Sequence, residues 1–248
     1  MVKEDLNFIK QEAEDNGITP QIYLGEPVDV KFYTKEESVK VSLISSSHDY
    51  QDFITPMFIA LSETWNPDFD LEAYNEAEKL KYVQKGLKEH RLEQYLENFR
   101  LVFKIDGIPR YITHQIVRHR RMSFSQESFR VCDIRKHGVR MPDYIKHNNE
   151  LSSIYKESVL QSIITYSKLV DEGIPPELAR SVVPMGVLTS LTMSTDLGSF
   201  IAYLNFRGNK DGLVQEEHYY LAEKLREEFI EKEQSLYKLI EPLRNGKW

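Results

Sequence analysis

Arg118-His119-Arg120-Arg121-Met122-Ser123-Phe124-Ser125-Gln126-Glu127-Ser128-Phe129-Arg130 sets three guanidinium groups within four positions ahead of a run of hydroxyl and amide side chains. Ser123, Ser125, Gln126 and Ser128 are interleaved with Met122, Phe124 and Phe129. Neighbouring cations repel one another unless an anion or solvent disperses the charge. The planar guanidinium fork matches phosphate oxygens in particular. From Arg118 to Arg140 there are seven Lys or Arg against two acids, Glu127 and Asp133, a local +5 inside a chain of net charge −7. A basic run alone is compatible with a solvated surface, but the polar load within this one points to a nucleotide pocket. The acidic whole argues against a protein that coats nucleic acid.

Outward from this segment, hydrophobic spacing sets the fold class. Asp106-Gly107-Ile108-Pro109 predicts a turn that opens a helix over about 109–117, with Pro near its first position. Phe99 to Ile105 and Val39 to Ile44 predict strands. Phe53, Ile54, Met57, Phe58 and Leu61 recur at helical spacing over 50–64, and 71–98 is a charged, Leu/Tyr-spaced helical stretch. Downstream, Ile154, Tyr155, Val159, Ile163, Tyr166 and Leu169 predict a helix over 151–170 that stops at Gly173. Pro175-Pro176-Glu177 opens a short helix closed by Pro184, and further helices are expected over 196–206 and 213–243. The expected architecture is α+β: an extension over 1–38, then one helix-rich domain over 39–248 with a small central sheet.

Composition agrees with a globular chain, with 41% hydrophobic and 29% charged residues in 248. The longest uncharged run, Ser181 to Thr195, is broken by Pro184 and Gly186 and is too short and hydroxyl-rich for a membrane span, so no membrane association is expected. Acids at Glu4 and Asp5 stand where a secretory signal has its apolar run. With Cys132 as the single cysteine, a cytoplasmic location is expected. Cys132 lies among cations that favour a thiolate, yet a lone cysteine is more often a small buried residue. The seven histidines show no paired spacing, and no metal site is expected.

Arg118-His119-Arg120, seven intervening residues, then Ser128 reproduces the Arg-His-Arg-x7-Ser signature of the flavin-dependent thymidylate synthases. Gln115, Ser123, Gln126 and Arg130 extend the match. Pro176 to Pro184 resembles the family's Glu-x-Ala-Arg-x-x-Leu-Pro helix, and Leu204 to Arg207 with Gln215-Glu216-Glu217 resembles its Leu-x-x-Arg … Ala-Gln-x-Glu stretch. The resemblance, over roughly 39–235, implies a homotetrameric methyltransferase with shared active sites. Its implied reaction makes dTMP from dUMP, with FAD as cofactor and methylenetetrahydrofolate and NADPH as co-substrates. It implies catalytic roles for Ser128 and Arg207, and nucleotide binding by Gln115, Arg118, Gln126, Ser128, Arg130, Arg180 and Arg207. Cofactor binding is implied for Arg118, His119, Arg120, Ser125, Gln126 and, as the nearest candidate for an early histidine, His90. Val131 stands where the family usually has Tyr, and Asp196, Gly198 and Ala202 stand at positions that are polar or cationic and help hold the flavin. These departures imply a second possibility: a relative acting on a different pyrimidine nucleotide or transferring a different one-carbon group.

Overall fold

The computed structural model describes residues 29–47, 70–75, 77–79, 81–82, 85, 93–210 and 213–240. The expected helix over 50–64 and the candidate His90 lie outside the described residues. Element order is β1 (Phe32–Tyr33), α1 (Lys35–Ser38), β2 (Lys40–Ser46), β3 (Arg100–Pro109), α2 (Arg110–Ile116), β4 (Ser123–Gln126) and β5 (Val139–Arg140). There follow α3 (Asp143–Lys146), α4 (Asn149–Asp171), α5 (Pro176–Ala179), β6 (Leu188–Asp196), α6 (Leu197–Arg207), α7 (Glu216–Lys232) and α8 (Gln234–Ile240).

Four antiparallel strands form the main sheet in the order β2-β3-β6-β4. Leu101, Phe103 and Ile105 on β3, and Leu191, Met193 and Thr195 on β6, are buried with the period of two that a strand imposes. Phe200, Ile201, Tyr203 and Leu204 of α6 and Leu221, Ala222, Leu225 and Phe229 of α7 join them in one core. Phe103 stacks on Phe200 at 5.1 Å between centroids, and Phe200 meets Phe229 edge-on at 5.3 Å. Each fully buried ring or leucine contributes about 1.5–3 kcal/mol. A second core gathers Phe129, Ile134, Val139, Val159, Ile163, Tyr166, Ala179 and Val187. It seats the basic segment against α4.

Several elements differ from expectation. Asp106 to Pro109 continues β3 through a bulge between Ile105 and Ile108, with Gly107 at φ +70°. A Cβ on Gly107 would sit 2.0 Å from the Ser38 carbonyl oxygen, so close approach requires glycine there. Strands β4 and β6 were not expected: Leu188 to Asp196 carries hydroxyls between its apolar residues, and β4 is four residues long. Glu93 to Asn98 is a 3₁₀ turn, where an α-helix was expected. The predicted helix over 213–243 is two, α7 and α8, separated at Glu233. Phe32–Tyr33 pairs in parallel with Val139–Arg140, which ties residues of the N-terminal segment to the main body. No helix among the described residues is long and apolar enough to cross a membrane.

Candidate active site

Helix α2 buries Ile112 and Ile116 in the core, and this fixes the heading of Gln115 and of the turn that follows. In that turn the amide of His119 donates to the Ile116 carbonyl at 3.1 Å, and the amide of Met122 donates to the His119 carbonyl at 3.2 Å. His119 is thereby brought to the end of α6, where Arg207 Nε donates to His119 Nε2 at 3.1 Å. The imidazole packs edge-on against Tyr203 at 4.9 Å and Phe206 at 6.1 Å. Burial, then the Arg207 charge, lowers the His119 pKa below its ordinary value; with Nε2 accepting from Arg207, the ring's N–H is the one at Nδ1. Burial also lowers the Arg207 pKa. On the other side, Gln115 Nε2 donates to Gln215 Oε1 at 2.5 Å, and Gln115 Oε1 lies 3.2 Å from His218 Nδ1. Gln115 and His119, four residues apart, are thereby linked through His218 and Arg207 to elements about a hundred residues away. His218 and Gln215 complete the cluster; the only prior signal for either was the Gln-Glu-Glu stretch that contains Gln215.

A second group surrounds a cavity of about 350 Å³ lined by Arg110, His114, Phe129, Glu177, Arg180 and Met185 among others. Arg110 lies over the Phe129 ring at 4.8 Å and donates to the Glu127 carbonyl at 3.3 Å. Its pKa is lowered by burial and then by the like charge of Arg180, the signature of two cations facing one space. Arg130 is expected beside the nucleotide; it pairs with Glu177 at 2.9 Å. Ser128 Oγ accepts from the Arg130 amide at 3.3 Å and shapes the turn after β4. Arg110 was missed at the sequence level because it precedes the basic cluster and shares no motif with it.

Arg118 and Arg120 stand exposed, with no carboxylate at ion-pair distance among the described residues. Ser125 is exposed on β4, and Gln126 buries an amide nitrogen without a partner. Free guanidinium groups, hydroxyls and an unsatisfied amide donor suit the phosphates and polar edges of a flavin dinucleotide. Asp196 is buried, its carboxylate engaged within its own helix. Both its oxygens are engaged at 2.7 Å by the amide and hydroxyl of Ser199, capping α6 from a buried position. Gly198 and Ala202 border a cavity of about 430 Å³ with Leu96, Glu97, Arg121 and Ile201. Burial and then its bond to Glu127 raise the Cys132 thiol pKa, against the thiolate that the neighbouring cations would favour. Glu127 is itself held by His137 at 3.0 Å.

The chain is similar to proteins of known family and fold. The family described as "Thymidylate synthase complementing protein" matches residues 42–233. A flavin-dependent thymidylate synthase of Thermococcus onnurineus is 28% identical over 178 residues, which cover 69% of this chain and 71% of the relative. One from Pyrococcus abyssi is 26% identical over 174 residues, covering 68% and 70%. Among solved structures, a UMP/dUMP methylase from Streptomyces cacaoi bound with 5-Br dUMP shares the fold. Its TM-score is 0.71 at 16% identity, covering 86% of this chain and 97% of that one. With a family match that spans residues 42–233, most of its length, the chain belongs to the thymidylate synthase complementing protein family and is an enzyme of that family.

Proposed function

We propose that this chain methylates dUMP to dTMP, taking the one-carbon unit from methylenetetrahydrofolate and reducing equivalents from NADPH through FAD. The observation that carries this is the convergence of Gln115, His119 and Arg207 from α2, the following turn and the end of α6. When bound, FAD supplies the hydride. Arg207 and Gln115 orient the nucleotide, while Arg110 and Arg180 neutralise its phosphate from the 350 Å³ cavity. Arg118 and Arg120 hold the cofactor's phosphates, and Ser125 and Gln126 take its polar edges. Ser128 and Arg130 shape the wall between the two ligands. A homotetramer in the cytoplasm is part of this proposal; exposed Tyr144, Met185 and Leu178 are suited to burial against a second copy.

A second proposal, that the substrate is a pyrimidine ribonucleotide, is supported by the fold neighbour described as a UMP/dUMP methylase. Anaerobic incubation with FAD, NADPH, methylenetetrahydrofolate and either nucleotide, read by product mass, separates the two. A methyl gain on dUMP is expected. Methylation of UMP alone replaces the first proposal with the second, and no mass change on either overturns both.

A further inference from the structure

Gln115 sits between Gln215, an amide that can reverse with it, and His218, whose ring proton sets which end of the Gln115 amide is oxygen and which is nitrogen. Its Nε2 donates to Gln215 Oε1 at 2.5 Å, and its Oε1 lies 3.2 Å from Nδ1 of His218. An amide oxygen only accepts, so this contact requires the His218 proton on Nδ1. The opposite tautomer turns Nδ1 into an acceptor and reverses Gln115. Gln215 must then reverse as well, and it lines the 530 Å³ cavity with Tyr111, Tyr155 and Met185. One imidazole proton thus sets the donor and acceptor pattern of two amides in series.

The surroundings select that tautomer. His218 is fully buried, and its Nε2 has no partner. A buried acceptor without a donor is tolerated better than a buried N–H without an acceptor. The Tyr203 hydroxyl, a donor that is also buried and unpartnered, lies in the adjacent ring, with centroids 5.8 Å apart. Arg207 and His119 face the same ring and disfavour a second proton on it. Glu216 and Glu217, its neighbours on α7, turn to Lys35 and to Arg140 and Tyr111. His218 is thus the one member of that first turn committed to Gln115.

We propose that His218 is a positioning residue that locks the Gln115 amide in the orientation the nucleotide requires. This rests on Gln115 being a nucleotide-binding residue, and the test separates the two ideas. In ¹⁵N-labelled full-length protein without ligand, long-range ¹H–¹⁵N correlation reads the His218 tautomer, and Gln115→Ala assigns the Gln115 side-chain amide. The expected result is a neutral ring protonated on Nδ1. His218→Leu, which fills the volume without a donor, shifts the Gln115 amide resonance, whereas His218→Asn, which retains an N–H near the Nδ1 position, restores it. The dUMP dissociation constant rises at least about fivefold in His218→Leu and stays within about twofold in His218→Asn, with FAD affinity unchanged. Combined with Gln115→Ala, His218→Leu adds no further loss. A proton on Nε2, a Gln115 resonance indifferent to His218→Leu, or equal impairment of the Leu and Asn variants overturns the proposal. If the parent protein binds no dUMP, the nucleotide assignment falls, while the tautomer and the amide resonance still decide the role of His218. If His218→Leu does not fold, the tautomer of the parent and the Asn variant decide it.

Discussion

His218 shows how far a side chain's surroundings can move it from its solution behaviour. Its pKa is pushed down to about 3 by burial, then by the positive charge of Arg207 and by His119, against an ordinary 6.5. Between those values the unfolded chain takes up a proton that the folded one refuses. Stability is therefore lost as pH falls below 6.5, by about 2 kcal/mol at pH 5 from this group. Urea unfolding at pH 7 and pH 5 should show that loss, and His218→Leu should flatten it; an unchanged slope in the variant assigns the pH dependence elsewhere. Arg110 and Arg180 meet the complementary condition, two cations whose repulsion an anion relieves. Replacing either with Gln should weaken dUMP binding about tenfold, about 1.4 kcal/mol, and leave deoxyuridine binding unaltered in calorimetry. Equal weakening of nucleotide and nucleoside would remove the phosphate from this cavity.

Asp196 acts at the scale of a helix. Its carboxylate closes the first turn of α6 by accepting from the Ser199 amide and hydroxyl, so the helix that ends in Arg207 starts at a defined residue. Asp196→Ala should cost about 1–2 kcal/mol of stability, and Asn a smaller part of it. Thermal unfolding checks this, and a silent Asp196→Ala would mean that the packing of Phe200 and Tyr203 alone sets the helix start. Strand β6 was legible only in retrospect. Leu191 and Met193 alternate with Thr192 and Ser194, but hydroxyls on the half-exposed face dilute the apolar signal. Period alone does not separate α7 from α8, because the charge pattern runs across Glu233 without interruption.

Across the whole molecule, one buried ion pair joins the small β1–β5 sheet to the site. Arg140, 1% exposed, lies 3.2 Å from Glu217 on α7, and Tyr111 of α2 donates to the same carboxylate. Arg140 Nη1 and Nη2 each donate to a backbone carbonyl, those of Tyr33 and Gly107, at 3.4 and 3.3 Å. Burial pushes the Glu217 pKa up, against the Tyr111 bond and the Arg140 charge. Glu217→Ala strands the guanidinium and should destabilise the protein by about 3–5 kcal/mol in denaturant unfolding. Loss of less than about 1 kcal/mol would show that water or the carbonyls suffice.

By itself the sequence determined the α+β class, the strands at β2 and β3, and the helices α2 and α4, and it named Gln115, His119 and Arg207, which the fold links in one cluster. Each of these rests on local spacing or on residue type, which the linear chain carries in full. Tertiary structure alone decided that His218 meets Gln115, that Arg110 and Arg180 line one cavity, that Asp196 is spent on a helix cap, and that the Cys132 thiol pKa is raised. Those outcomes depend on which side chains from distant segments share a buried volume, and on the desolvation and neighbouring charge found there. No period or motif along the chain encodes either.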